Sequence, residues 1–276
     1  MSPSMHTPDS EGYIPFIHNY CDRRCERCRF VRQCRVGAVE VDDVGEDDDV
    51  VGDERVEDLH DRMKKLLGLS DEDMAAMEEV RKEHEDEPVD PLEEAREEAA
   101  MAEWQRQQEE RDRQVDAQPL SVMGSTYLDL VRAWNRPREA SFMARGVQLH
   151  PRMGMGIPVV QRTPEVLVLS EALQEVLWFH TMIHVKIQRE LHGKLEADDE
   201  EDNALQSDWN GTAKVCIDGV DRSMIAWDTI IELLPEEADD ALPIRELLRR
   251  MRQELDAVFP DAHAFIRPGF DAPGGG

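Results

Sequence analysis

Apolar residues recur at three- and four-residue steps along most of the C-terminal half of the chain, the spacing typical of amphipathic helices. This spacing predicts long helices over residues 164–195, 207–234 and 239–258, and a shorter one over residues 120–134. Helices of this length that are joined by short turns bury their apolar faces against one another. The pattern therefore predicts an all-α fold in which residues 119–260 form an antiparallel helical bundle of about four core helices.

The N-terminal part of the chain and the extreme C-terminus lack this pattern. Residues 1–12 are polar and contain prolines, and they are predicted to be disordered. Residues 13–40 begin with an aromatic, apolar stretch and continue into a cysteine-rich segment. Residues 261–276 contain several glycines and prolines, which predicts an irregular tail.

Residues 41–118 carry so many charges that they cannot bury enough apolar surface to offset the entropy lost on ordering. They are predicted to form an acidic linker that is partly disordered and includes exposed helices. One helix is predicted over residues 56–69, and Ser70 is predicted to cap the next one because acidic residues and an apolar pattern follow it. Residues 92–114 are predicted to form either a solvent-exposed single helix or a partly disordered tether.

Charge narrows the set of partners. The chain of 276 residues has 61 acidic and 32 basic residues, a net charge of −29, and about half of the acid falls in residues 40–116. Nucleic acid is disfavoured as a partner because phosphate binding needs a basic surface. The acidic segment instead fits a basic protein partner.

Location follows from two further patterns. No apolar run approaches the roughly 18 residues that a membrane-spanning helix needs, so no membrane association is expected. The first residues lack the basic-then-apolar pattern of a signal peptide. We therefore expect a cytoplasmic location, where thiols stay reduced and free to bind metal.

Four of the five cysteines lie in one short window, with the spacing C-x3-C-x2-C-x5-C. They are Cys21, Cys25, Cys28 and Cys34. Thiols this close together, in a chain without a secretion signal, indicate metal ligands rather than a disulfide framework. The window is also rich in arginine, which would offset the negative charge of four thiolates around a metal.

The spacing of the four cysteines does not identify the metal that they would bind. Cys25-x2-Cys28 suits a zinc site, although structural zinc sites usually join two such pairs from separate parts of the chain. Four cysteines in one run are commoner among iron–sulfur proteins. The first three also match the triplet of radical S-adenosylmethionine enzymes, but no strand–helix repeats follow to build a barrel. A zinc ion, an iron–sulfur cluster and no metal at all remain open.

A second candidate metal site lies in the predicted bundle. His180 and His184 are one helical turn apart, and Asp218 and Asp221 follow a polar row on the next helix. Facing carboxylates and imidazoles occur in di-iron bundle proteins, but their Glu-x-x-His motif is missing here. The favoured alternative is a hydrogen-bonded core histidine and a polar network in which the two aspartates pair with basic residues. The candidate basic partners are Lys186, Lys214 and Arg222.

The run Y-C-D-R-x-C-E-R-C-x-F, with Cys34 after it, resembles the N-terminal signature of a group of uncharacterised bacterial proteins. Two later stretches carry the same resemblance, D-x-N-G-x-A-K-V from Asp208 and R-P-G-F-D from Arg267. This chain departs from the group at Arg24 and Arg29, where members usually have Trp and Pro. The resemblance covers both ends of the chain but not its acidic middle, and it implies no function.

Motifs for several enzyme classes are missing from the sequence. It contains no serine-nucleophile elbow and no phosphate-binding glycine loop, which disfavours hydrolases and nucleotide-dependent enzymes. Two functions remain: a binding or adaptor protein with a structural or redox site at the four cysteines, or a metal- or iron–sulfur-dependent redox enzyme. No catalytic residue is assigned, so the sequence leaves open whether the protein is an enzyme.

Overall fold

The computed structural model describes residues 8–42, 64, 67–85, 91–149, 163–197 and 204–271. Within these residues the regular structure is helical and no strand occurs, which confirms the predicted all-α class. The chain divides into two compact units, one formed by residues 1–107 with 266–276 and the other by residues 108–265. Most of the helix predicted for residues 56–69, and the first seven residues, lie outside the described part of the chain.

The first unit begins with a segment of tight turns. Three 3-10 turns, Ile17–Tyr20, Cys25–Arg27 and Val31–Gln33, carry the cysteines and lead into helix α1 (Arg35–Asp42). Asp9, in the stretch predicted to be disordered, accepts hydrogen bonds through Oδ1 from the backbone N–H groups of Glu11 and Tyr13. The described residues before the cysteines therefore form a turn of their own.

Two helices follow, α2 (Asp71–Glu85) and α3 (Pro91–Asp116). The predicted cap of α2 is confirmed: Ser70 Oγ accepts the Asp73 backbone N–H at 3.1 Å, and the Asp73 carboxylate accepts the Ser70 N–H at 2.7 Å. This reciprocal pair of bonds is a capping box. Helix α3 is continuous and largely exposed, with Glu–Arg pairs one turn apart, and it enters the second unit at residue 108.

The second unit contains α4 (Pro119–Asn135), the short α5 (Glu139–Ala144), α6 (Pro164–Glu196), α7 (Asp208–Leu233) and α8 (Ala238–Val258). The bounds of the four longer helices agree with the predicted ones to within one or two residues. Proline at the first position starts α4 and α6, where its missing N–H costs no hydrogen bond.

The apolar faces of α4, α6, α7 and α8 share one hydrophobic core. Its fully buried members include Tyr127, Leu173, Val220, Trp227 and Leu248. Helices α6 and α7 run antiparallel, because Arg189 pairs with Asp208 near the start of α7 and Glu175 pairs with Arg222 farther along it.

Helix α6 is long and apolar enough to cross a membrane by length and composition, contrary to the prediction from the sequence. Within the protein, however, 44% of its most apolar window is buried. The core helix of a soluble protein passes the same test, so this property of α6 is weak evidence about location.

Candidate functional site

The four clustered cysteines lie on the turns of the first unit. Cys21 follows the first 3-10 turn, Cys25 and Cys28 begin and follow the second, and Cys34 lies between the third turn and α1. All four thiols are free of disulfides. Cys34 is only 7% exposed and the other three are half-buried.

Cys28 and Cys34 accept backbone hydrogen bonds through their sulfurs. The Phe30 N–H donates to Cys28 Sγ at 3.4 Å, and the Gly37 N–H donates to Cys34 Sγ at 3.4 Å. The Cys21 thiol instead donates to the His18 carbonyl oxygen at 3.5 Å, and burial raises its pKa. The backbone donors to Cys28 and Cys34 fix the orientation of these two sulfurs.

The backbone between Cys21 and Cys25 makes a sharp reversal. Arg23 has φ of 57°, in the left-handed region that residues other than glycine seldom adopt. The carboxylate of Asp22 supports this conformation by accepting the Arg24 backbone N–H at 3.2 Å. The strain of the left-handed residue is thus offset in part by a local bond next to it.

The arginines around the cysteines do not form one uniform belt. Arg24 is almost fully buried, with 2% exposure, and its Nε lies 3.7 Å from Glu26 Oε1. Arg35 instead pairs with the carboxylates of Asp9 at 2.9 Å and Glu11 at 2.7 Å. Part of the positive charge predicted to offset thiolates therefore offsets carboxylates.

Donor chemistry and donor geometry give different answers about a metal. Four clustered thiols are the donor set that zinc and iron–sulfur clusters take. In the part of the chain that the structure describes, however, no three His, Cys, Asp or Glu side chains are grouped so as to hold a metal ion. The residue types fit such a group, and binding would have to draw the sulfurs together.

The histidines of the second candidate site lie on the side of α6 that faces α4. A Cβ atom built on Gly124 of α4 would lie 3.7 Å from His184 Nδ1. His180 Nδ1 lies 2.7 Å from the Leu177 carbonyl oxygen, and burial lowers the pKa of this imidazole. His180 thus has the local hydrogen bond of a core histidine.

The aspartates of the same candidate site have other neighbours. Asp218 is exposed, and Asp221 accepts a hydrogen bond at 3.0 Å from Arg252 Nε of α8. The structure therefore does not bring the histidine pair and the aspartates to one place. For Asp221 the predicted basic partner was wrong, because α8 rather than α6 or α7 supplies the cation. Arg222 pairs with Glu175, and Lys214 Nζ donates to the Phe265 carbonyl oxygen at 2.6 Å.

The second unit contains a buried polar group that was not predicted from the sequence. Glu190 has 0% exposure, and neither of its carboxylate oxygens has a hydrogen-bond partner. Burial raises its pKa well above the ordinary value, and the charge of Lys186 lowers it by less. Burial, followed by the charge of Glu190, likewise raises the pKa of Cys216 on α7. In the sequence, Lys186 and Glu190 are four residues apart, which suggests an ion pair on the helix surface. Only their spacing relative to Ile183 and Ile187 indicates that they face inward.

These observations define a helical protein with a turn-rich, four-cysteine segment in its first unit. Comparisons with protein families, with curated proteins and with solved structures found no match. The assignment of a function therefore depends on the geometry and chemistry of the chain's own residues.

Proposed function

We propose that this protein is a cytoplasmic, metal-binding adaptor whose first unit holds zinc or an iron–sulfur cluster through Cys21, Cys25, Cys28 and Cys34. The observation that carries the proposal is the placement of four free thiols on the tight turns of one segment, where Cys28 and Cys34 accept backbone N–H bonds. Backbone donors of this kind orient the sulfurs that they contact and would support a bound metal as outer partners of its ligands.

In this proposal the metal has a structural role. A zinc ion would cross-link turns that otherwise depend on a small apolar cluster of Ile14, Ile17 and Cys34. The second unit is the scaffold, in which α4, α6, α7 and α8 form an antiparallel four-helix bundle. Two observations support this bundle: the four helices share one hydrophobic core, and the ion pairs between α6 and α7 require these two helices to run antiparallel.

Helix α3 is the surface proposed to bind a basic partner. Acidic residues outnumber basic ones along it, and its side chains are exposed over most of its length. Met101 and Trp104 are also 55% and 54% exposed, and large apolar side chains of this kind commonly anchor protein interfaces. A basic protein with an apolar patch matches both features.

The metal proposal is tested by metal analysis and absorption spectroscopy of full-length protein purified without oxygen. Colourless protein with about one zinc per chain is the result expected for a structural site. Absorption at about 400 nm would instead support the second candidate function, an iron–sulfur redox protein. The metal should be lost in Cys25→Ser/Cys28→Ser and retained in Cys216→Ser, whose cysteine is buried in the other unit. Wild-type protein that binds neither metal would overturn the proposal.

The partner proposal is tested with a lysine-rich peptide as the probe, titrated at several salt concentrations. The charge-removing variant Glu94→Gln/Glu97→Gln/Glu98→Gln changes exposed residues of α3. The control removes the same number of charges from exposed residues of the second unit, Glu171, Glu232 and Glu236. Weaker binding of the α3 variant than of the control is expected. Equal losses would mean that net charge alone attracts the peptide and would reject α3 as the docking surface.

A further inference from the structure

The C-terminal stretch Arg267–Asp271 of the first unit folds into a turn closed by its own residues. The Asp271 backbone N–H donates to the Arg267 carbonyl oxygen at 3.1 Å, and the Arg267 backbone N–H donates to Asp271 Oδ2 at 2.9 Å. The two side chains also form an ion pair at 3.2 Å. Gly269 sits inside the turn with φ of 75°, which glycine adopts without strain. The turn is therefore preformed by local bonds.

This turn packs on the cysteine segment through its ring, its backbone and a hydrogen bond. The rings of Phe270 and Phe30 meet edge to face, with centroids 5.1 Å apart. At Gly269 a Cβ would lie 2.8 Å from Ile17 Cδ1 and 3.0 Å from Ile14 Cδ1, so the backbone itself touches the apolar cluster. Arg29 Nη2 also donates to the Phe270 carbonyl oxygen at 3.4 Å.

The residues that the turn contacts are also the ones that position two sulfurs. The backbone N–H of Phe30 is the donor to Cys28 Sγ. The N–H of Ile14 donates to the carbonyl oxygen of Gln33, the residue before Cys34, at 2.9 Å. Cys34 itself belongs to the cluster that Phe30 and Phe270 cover. One chain of contacts thus runs from the C-terminal turn to Cys28 and Cys34.

We propose that the Arg267–Asp271 turn is a positioning element of the thiolate site, so that metal binding and docking of the turn are thermodynamically coupled. This inference rests on the proposed function, since it requires the cysteines to bind metal. Coupling between two binding events is reciprocal: if metal stabilises the docked turn, loss of docking must weaken metal binding by the same factor. A turn that merely fills space would leave metal affinity unchanged.

The first measurement uses wild-type, full-length protein and needs no variant. Hydrogen exchange is followed by mass spectrometry on peptides covering residues 28–36 and 266–271, before and after metal removal with a chelator. Faster exchange in both peptides without metal is expected, because the Phe30 N–H loses a fixed sulfur acceptor and the turn loses its support. Faster exchange at residues 28–36 alone would overturn the coupling.

The second measurement is metal affinity by chelator competition in Phe270→Ala. Substitution of residues that support metal ligands commonly weakens binding about tenfold or more, and a loss of that size is expected here. Phe16→Ala is the matched control, because this aromatic residue of the same unit is 53% exposed. Unchanged affinity in Phe270→Ala would overturn the inference while the proposed function stands. A wild-type chain that binds no metal would instead overturn the proposed function, and this inference with it.

Discussion

Gly219 of α7 lies directly against the ring of Phe179 on α6. A Cβ atom at Gly219 would stand 2.8 Å from Cδ1 and 3.1 Å from Cε1 of that ring. Phe179 is 1% exposed, and the Arg222 guanidinium lies 4.6 Å from its ring centroid. The absence of a side chain at Gly219 therefore sets how closely the two helices approach, and the ring has little room to move aside.

We expect Gly219→Ala to destabilise the second unit. Overpacking a core costs about 1–3 kcal/mol, whereas alanine gains about 1 kcal/mol over glycine in helix propensity. The net loss in free energy of unfolding should be up to about 2 kcal/mol, measured by urea denaturation followed by circular dichroism.

Gly193→Ala is the matched control for this substitution. A Cβ at Gly193 of α6 would lie 3.6 Å from Trp209 Cβ, an ordinary van der Waals distance. Only the propensity gain should remain, so this variant should be more stable than wild type by up to about 1 kcal/mol. If the two variants had the same stability, the close approach at Gly219 would carry no energetic weight.

The helices of the second unit were predictable because each one combines an apolar stripe with signals at its ends. Pro164 marks the start of α6, and the buried stripe through Leu173, Val176 and Ile187 follows the spacing of the sequence. These signals are local, since they depend on residues a few positions apart. Local patterns therefore predicted the elements and their buried faces.

Contacts between distant residues could not be predicted in this way. Asp221 pairs with Arg252 because α8 lies beside α7, and periodicity does not state which helices are neighbours. The contact of Phe30 with Phe270 joins residues near the two ends of the chain. Cysteine spacing is likewise too local a signal to choose between zinc and iron–sulfur ligation, because it suits both.

The capping box of α2 gives a second prediction. Ser70→Ala removes the hydroxyl that accepts the Asp73 N–H, and loss of such a cap costs about 1 kcal/mol of helix stability. Because α2 is largely exposed, its stability depends strongly on local bonds. Hydrogen exchange over residues 71–80 should accelerate in Ser70→Ala and stay close to wild type in Ser70→Thr, which keeps the hydroxyl. Equal exchange in both variants would contradict a role for the cap.

Glu190 gives a third prediction, on the pH dependence of stability. Burial raises the pKa of this carboxyl in the folded state above its unfolded value, so the folded state retains a proton that the unfolded state releases. Stability is therefore unaffected below the unfolded pKa of about 4.3 and falls as pH rises above it, by at most about 1.4 kcal/mol per pH unit, until the folded pKa is reached. Glu190→Gln does not titrate and should become progressively more stable than wild type between pH 5 and 8, measured by urea denaturation.

Glu246→Gln is the control for that pH series. The Arg249 side chain lowers the pKa of Glu246 to about 2, so its contribution has the opposite sign. It is present above the unfolded pKa and is lost as pH falls through the folded value. Glu246→Gln should thus never gain stability over wild type as pH rises. A Glu190→Gln variant that behaves in the same way would show that the buried carboxyl is ionised in the folded protein.

The fourth prediction concerns the reactivity of the five thiols. Cys216 is 2% exposed, and burial together with the nearby Glu190 raises its pKa well above the ordinary value. Alkylation requires an accessible thiolate, so iodoacetamide at neutral pH should spare Cys216 until the second unit unfolds. Cys25 and Cys28 are half-buried and should be labelled in chelator-treated native protein. Mass spectrometry of the labelled peptides separates the sites. If Cys216 reacts as fast as Cys28 in the native protein, the core around Glu190 opens on the timescale of labelling. That result would contradict the burial of Cys216 and Glu190 in the folded protein.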